Sequence, residues 1–440
     1  MKTGLALFVC LVTLAWGWDV LSVAAPAGAA GLWILRQQGL YLSGLLSIAL
    51  MSLAMLLATR PVWLEGPLGG LDRVYRTHQW AAILAGASAV LHWFIELSSD
   101  LLKAIIGRTG RWPKENYSGW HEGLRDLAKD LGEWALYAVL AMLLLTLWQR
   151  FPYRWWRILH RLMPLLYLTL AFHAVLLAPA GYWRQPVGLL LALLIGGGVY
   201  GSVCSLRGRI GQARQFAGEI LAVTPSAPDV LGVRCRLDRR WPGHRPGQFA
   251  FVSFADHEGQ HPFTIAGADR GDREVSFAIK ALGDYTSRLR GQLAAGQPVT
   301  VEGPYGRFDF ARRNVDAQQI WIAAGIGVTP FLAWLEALQA RPDDAPAAEL
   351  HYCSRDAETD PFVTRLRSLC SSLPTIRLQL HGARQGQQLG AAQLVAGKDD
   401  RRPAEVWFCG PQGLADALRD GLRAAWRGRL SFHQEAFVLR

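Results

Sequence analysis

Apolar and polar positions divide this chain into two halves with different periodicities. The first 206 residues hold six long apolar runs: Gly4–Ala24, Leu40–Thr59, Val74–Leu97, Glu133–Trp148, Trp156–Ala178 and Pro186–Leu206. Most approach the ~20 residues an α-helix needs to cross a bilayer, so a six-helix membrane bundle is expected. The fourth run is the shortest and has polar flanks. Before it, Gly123–Gly132 reads as a separate short amphipathic helix on the outer surface. From residue 215 the runs shorten. Strands are expected at Glu219–Val223, Gly232–Leu237, Gln248–Phe254, Glu274–Lys280 and Pro298–Glu302, with one helix at Tyr285–Leu293. That pattern predicts a small antiparallel β-barrel. From Gln318 strands and helices alternate: Ile320–Ala324, Pro330–Leu338, Glu349–Cys353, Phe362–Leu373, Ile376–Leu380, Glu405–Cys409 and Leu414–Ala424. This is the pattern of a parallel-sheet, Rossmann-like nucleotide-binding α/β unit. The chain is therefore expected to be multidomain, with a membrane domain over 1–210, a barrel over 213–310 and an α/β domain over 316–440.

Charge orients the membrane half. The net charge is +11, but the arginines cluster beside apolar runs, which argues for topology signalling rather than nucleic-acid binding. Arg60, Arg73 and Arg76 follow the second run, Arg150, Arg154 and Arg157 the fourth, and Arg207, Arg209 and Arg214 the sixth. The N-terminus and the soluble half are then cytoplasmic. Residues 98–132 run against the rule, with six Lys/Arg offset by five Asp/Glu. The first run is either a retained helix or a signal peptide, and the orientation of the rest is the same in both cases. Eighteen tryptophans fit an interfacial aromatic belt. Six scattered cysteines without CxxC spacing support neither a disulfide framework nor an iron–sulfur cluster, and without CxxCH a c-type haem is not expected.

Four histidines stand out against this background. His78 and His92 lie fourteen residues apart on the third run, and His160 and His173 thirteen apart on the fifth. Either spacing covers roughly 20 Å of helix and returns to about the same face. In the topology above both helices run outward, which pairs His78 with His160 at the inner level and His92 with His173 at the outer. Imidazole is a good axial ligand for haem iron, and ionisable groups inside membranes are seldom accidental. Two bis-histidine b-type haems are expected, with four unrelated core histidines as the plain alternative. Arg73, Arg76 and Arg161 are candidate partners for inner propionates and Arg36 for outer ones.

In the α/β half, Gly325-Ile326-Gly327-Val328-Thr329-Pro330 follows the first strand. Glycines allow close approach of a phosphate, and a helix N-terminus supplies N–H donors. Pro330 stands where the common dinucleotide fingerprint has its third glycine. The second strand ends at Ser354-Arg355, which suits the 2′-phosphate of NADPH. Asp356 follows immediately, which keeps NADH as the alternative.

Several motifs together resemble the membrane NADPH oxidase and ferric reductase family. His261-Pro262-Phe263-Thr264-Ile265-Ala266 resembles its flavin-binding strand, and Gly283-Asp284-Tyr285-Thr286 its flavin-pyrophosphate turn. Gly303-Pro304-Tyr305-Gly306 resembles its domain-junction turn, and Cys409-Gly410-Pro411 its nicotinamide-side motif. Phe432-His433-Gln434-Glu435-Ala436-Phe437 resembles its C-terminal tail. The histidine spacings match too, and the resemblance covers nearly the whole chain. It implies that Thr264 hydrogen-bonds near the flavin ring, that His261 sits by the FAD phosphates, that Phe437 covers the ring face and that Cys409 lies near the hydride path. Glu96 stands where the eukaryotic oxidases resemble one another in having a histidine near the proposed oxygen site.

The resemblance implies an integral protein of the bacterial inner (plasma) membrane that takes electrons from cytosolic NADPH through FAD and two b-type haems. The acceptor expected outside is dioxygen, giving superoxide, with a ferric chelate as the alternative. A haem-bearing subunit that hands electrons to a protein partner is the remaining reading. It would not need the nicotinamide turn or the flavin strand, so an obligate protein partner is not indicated.

Overall fold

Lipid offers no partner to backbone N–H and C=O groups, so long apolar runs satisfy them internally as helices. The structure, a computed structural model, describes residues 2–23, 28–113, 117–148, 150–254 and 259–435. The apolar half contains α1 (Lys2–Ser22), α2 (Gly31–Ala58), α3 (Val62–Leu68), α4 (Leu71–Ile106), α5 (Trp120–Leu147), α6 (Tyr153–His160), α7 (Met163–Leu177) and α8 (Pro186–Leu206). Among the described residues six helices are long and apolar enough to cross a membrane, with α6 and α7 together making the fifth.

Two elements differ from expectation. The amphipathic stretch Gly123–Gly132 is not a separate surface helix; it forms the first turns of α5, which thereby reaches 28 residues. The fifth span is broken at Arg161 and Leu162. Pro164, in the first turn of α7, has no N–H to return to the His160 carbonyl, so the regular ladder stops there.

α2 lies at the centre of this bundle, with α4 and α8 against it, while α5 packs on α7. Its buried stripe includes Leu45, Ile48, Ala49, Ala54 and Leu57. Small residues permit the closest approaches, as in membrane helix packing generally. The Tyr167 hydroxyl, 2.8 Å from Ser52 Oγ, fills the space that a side chain at Gly198 would need.

The polar half is a separate compact unit over residues 211–439. It opens with β1 (Gln215–Ala227), β2 (Val230–Leu237), β3 (Phe249–Ser253), β4 (His261–Thr264), β5 (Glu274–Lys280), α9 (Asp284–Gln292) and β6 (Pro298–Tyr305). These strands form an antiparallel sheet in the order β4-β3-β6-β1-β2-β5. A bridge from Ile265, just past β4, to Phe277 on β5 joins the two ends and closes the barrel. β5 alternates buried and half-buried positions along its length, the period of a strand with one face in a core.

The chain continues through β7 (Gln318–Ala324), α10 (Thr329–Gln339), β8 (Ala348–Ser354), α11 (Pro361–Ser371), β9 (Ile376–Gly382), α12 (Ala391–Val395), β10 (Ala404–Cys409), α13 (Gln412–Ala425) and β11 (Leu430–Glu435). The five strands are parallel, in the order β11-β10-β7-β8-β9. β10 is buried at every position, as expected where both faces of a parallel sheet are covered. Trp334 of α10 fastens this sheet to the barrel. Its ring stacks on Phe308 with centres 4.8 Å apart, and its Nε1 donates to the Pro246 carbonyl at 3.1 Å.

Candidate functional site

The helical bundle brings His78 and His160 together. His78 and His160 have ring centres 6.3 Å apart, with the planes at 73°. A metal held by both imidazoles through nitrogen bonds of roughly 2 Å separates ring centres by about this much. Three of the four histidines are held by backbone carbonyls of neighbouring helices. His78 Nδ1 donates to Ala54 O at 2.8 Å, His92 Nδ1 to Leu40 O at 3.0 Å and His173 Nδ1 to Ala128 O at 2.8 Å. A carbonyl can only accept, so the proton sits on Nδ1 and Nε2 carries the lone pair. Ligating histidines are oriented in this way. The His160 ring stacks on Trp156 at 4.8 Å, and its buried Nδ1 has no hydrogen-bond partner among the described residues.

Two glycines make room for these rings, and neither was singled out in the sequence. A side chain at Gly132 would overlap the His173 imidazole, and one at Gly44 would come within 3.0 Å of His92. Gly132 was legible only as the end of a supposed surface helix.

Glu96 is ion-paired, and Arg36 is not free to serve a propionate with its whole guanidinium. Arg36 Nη2 donates to Glu96 Oε2 at 2.7 Å and to the Glu96 carbonyl at 3.0 Å. Lys129 Nζ lies 4.0 Å from the other carboxylate oxygen. Arg36 Nε is buried without a partner among the described residues.

In the polar unit, the flavin-type strand and turn come together. The His261 ring lies flat on Tyr285, centres 3.8 Å apart and 16° between planes, so the start of β4 meets the start of α9. Thr286 Oγ1 accepts from the amides of Leu282 at 3.0 Å and Gly283 at 3.2 Å and so shapes that turn. Thr264 is buried opposite Phe249 in the β3–β4 register. Pro262 faces Phe251 in the same register, and the Phe263 ring lies 6.4 Å from those of Phe254 and Phe277, toward the barrel core.

The nicotinamide-side motifs also touch. The turn after β7 is a 3-10 turn over Gly325–Val328, with Gly325 at φ +56. A side chain at Gly327 would overlap the Cys409 carbonyl, and one at Gly410 would come 2.7 Å from Ala324. Thr329 Oγ1 donates back to Ile326 O at 3.1 Å, Pro330 occupies the first turn of α10, and Pro411 precedes α13. Tyr352 steadies the turn, donating to the Asp360 carboxylate at 2.9 Å and reaching Gly325 O at 3.4 Å. Burial, and after it the Glu435 carboxylate, push the Cys409 thiol well above its usual range, so Cys409 is a neutral thiol and not a thiolate nucleophile.

At the end of β8 the Ser354 hydroxyl is buried with no partner among the described residues, while Arg355 beside it is exposed. Asp356 is already engaged. A hydrogen bond from Gln385 at 3.0 Å, the Glu358 amide and Arg384 at 3.3 Å hold its carboxyl below the usual range. Phe437 lies outside the described residues. β11 does run parallel to β10, with Glu435 in register beside Cys409.

Paired histidines in a membrane-type bundle, continued by a barrel and a parallel nucleotide-type sheet, define an integral membrane electron-transfer oxidoreductase. Residues 43–171 match the ferric reductase like transmembrane component, and residues 215–309 match an FAD-binding domain. The chain belongs to the NADPH oxidase and ferric reductase-like family of transmembrane oxidoreductases, and its soluble module is of the kind that uses FAD and a nicotinamide nucleotide. It is 26% identical over 214 residues to the reductase component of propane 2-monooxygenase from Mycolicibacterium goodii, matching 45% of this chain and 61% of that one. It is 33% identical to the carnitine monooxygenase reductase subunit of Escherichia coli K12, over 34% of this chain and 44% of that one. The chain thus spans only about half the length of these curated relatives. Flavohemoglobin from Malassezia yamatoensis, solved with bound FAD and heme, aligns with a TM-score of 0.50 at 14% identity, over 93% of this chain and 100% of that one. That likeness concerns the fold alone.

Proposed function

We propose that the protein carries electrons from cytosolic NADPH, through FAD and two b-type haems, to an acceptor on the far side of the bacterial inner membrane. In this reading residues 1–210 hold the haems, 213–310 the FAD and 316–440 the nucleotide. FAD, when bound, supplies the conversion of two-electron hydride chemistry to single electrons, and haem supplies single-electron transfer.

The residues present suit these groups. His78 with His160, and His92 with His173, would hold the haem irons. The observation that carries the reading is the set of three Nδ1–H bonds to backbone carbonyls, which put the proton on Nδ1 and leave on Nε2 the lone pair a haem iron needs. His261, Pro262, Phe263, Thr264, Gly283 and Thr286 would line the FAD site. Gly325, Gly327, Thr329, Pro330, Gly410 and Pro411 would receive the nucleotide. Cys409, kept neutral by burial, would pack by the nicotinamide without taking its charge, and Phe437 would cover the flavin until the nucleotide displaces it. Ser354 and Arg355 favour NADPH, because the acid that would hold a ribose hydroxyl is spent on Gln385 and Arg384. NADH is the weaker donor in this reading.

Dioxygen, yielding superoxide, is the proposed acceptor, since the ion pair with Arg36 leaves Glu96 no free charge to draw a cation. A second reading rests on Lys129, which with Arg36 leaves a surplus positive charge beside Glu96 and suits an anionic ferric chelate. The test is anaerobic reduction of the purified protein by NADPH, followed by oxygen. Rapid haem reoxidation with stoichiometric superoxide is expected. Haem that reoxidises only on addition of ferric chelate would overturn the oxidase assignment, and haem that NADPH never reduces would overturn the path.

A further inference from the structure

Glu302 is wholly buried and has no part in the roles proposed above. It stands on β6 immediately before the turn Gly303–Gly306. Its Oε1 accepts from the Tyr305 hydroxyl at 2.8 Å and its Oε2 from the Gln215 amide at 3.2 Å. Gly211, at φ +74, lies so close that a side chain there would overlap the carboxylate. Arg214 Nη1 donates to the Pro304 carbonyl at 3.2 Å, and its guanidinium lies 4.9 Å over the Tyr305 ring. β1 then joins β6 with Gln215 opposite Glu302. The segment Gly211–Gln215 is thus fastened to the end of β6 at several points.

This segment follows directly on the last membrane-type helix. Just past α8, Gly208 stands at φ +63 and the Arg209 amide donates back to the Cys204 carbonyl at 2.8 Å, a closed helix terminus. Only Ile210 separates that terminus from Gly211. The far side of the same β6 turn leads to the candidate redox residues. A side chain at Gly306 would come 3.0 Å from both the Phe249 ring and Glu435 Oε1. Phe249 is the register partner of Thr264, and Glu435 that of Cys409. A buried carboxylate is expensive unless its geometry is used, and an apolar side chain would fill the same space at less cost.

We infer that Glu302, with Gly211, is a positioning residue that fastens the segment leaving the membrane helix to the turn carrying the flavin-side contacts. Electron delivery from flavin to haem then depends on it, whereas hydride delivery to flavin does not. The inference rests on the electron path proposed above.

The test uses the full-length holoprotein in lipid nanodiscs, comparing wild type with Glu302→Gln and Gly211→Ala. Three quantities are read: NADPH-driven reduction of ferricyanide, the anaerobic rate of haem reduction by NADPH, and trypsin cleavage after Arg209 and Arg214. Ferricyanide reduction should stay within about twofold, while haem reduction slows and cleavage quickens, each by roughly tenfold, the equivalent of one charge-assisted hydrogen bond. Cleavage at the wild-type rate, or haem and ferricyanide reduction falling by the same factor, overturns the inference. Wild-type haem that NADPH does not reduce faults the electron path instead, and the cleavage rates then still decide whether Glu302 fastens the segment.

Discussion

The imidazoles of His78 and His160 face each other across 6.3 Å although eighty-two residues separate them in the chain. His92 stands fourteen residues beyond His78 on α4, and His173 thirteen beyond His160 on α7. If each pair holds one haem, His173→Ala should lower bound haem from about two per chain to one, while NADPH-driven ferricyanide reduction persists. His78→Ala should remove the other haem and stop electrons from reaching the remaining one. Haem content and the reduced spectrum decide it, and a His173→Ala protein that keeps both haems would show the pairing to be wrong.

The same site can be disturbed without touching a ligand. A methyl at Gly132 would overlap the His173 ring and break its bond to Ala128 O. Overpacking of this kind costs about 1–3 kcal/mol, and the ring can relieve it only by turning away. Gly132→Ala should therefore lose the outer haem as His173→Ala does, while Gly123→Ala, where a side chain meets nothing, should not. Equal haem content in both variants would remove Gly132 from the site.

Much of this architecture is legible in the sequence where one physical period dominates. β5 runs over Glu274–Lys280 as its alternation requires, and the apolar runs all become helices. Legibility fails where two residues far apart settle an outcome. The lower end of α5 is charged and looks like a surface helix, yet it is helical to Trp120 because Gly132 and Ala128 pack against His173 of another helix. The pairing of Glu96 has no local signal because its partner, Arg36, is sixty residues away. β11 carries no strong strand pattern and is a strand because β10 offers it an edge. Glu302 has no local signal at all; its burial follows from the return of Gly211 and Gln215 onto β6.

The end of β8 bears on nucleotide choice. Ser354 keeps a buried hydroxyl without a partner among the described residues, and the exposed Arg355 follows it. A 2′-phosphate would gain charge-assisted hydrogen bonds there that NADH cannot make. Ser354→Ala together with Arg355→Ala should raise KM for NADPH by about tenfold, discounted from the buried-pair range because Arg355 is exposed. KM for NADH should hardly move. Steady-state kinetics with both nucleotides measures this, and equal loss for the two would mean that the strand end does not read the 2′ position.

The nicotinamide-side sheet also contains a pair of histidines that acid should expose. His351 Nδ1 lies 3.1 Å from His381 Nε2, and the rings stack at 5.3 Å. Burial, and after it the adjacent His381, hold His351 down at about 4, below the usual imidazole value of 6.5, and burial lowers His381 as well. Between these two values the unfolded chain binds a proton that the folded chain refuses. The associated stability is therefore fully present above pH 6.5 and is lost as the pH falls toward about 4. The amount is on the order of 3 kcal/mol for a group so buried. His351→Gln, which takes no proton, should flatten the acid limb of the unfolding curve, followed by near-UV dichroism of the full-length protein from pH 7 to 4. The variant need not be more stable at pH 7, since it loses the contact with His381. What it must lose is the dependence on pH, and a wild-type slope in His351→Gln would assign the acid sensitivity to other groups.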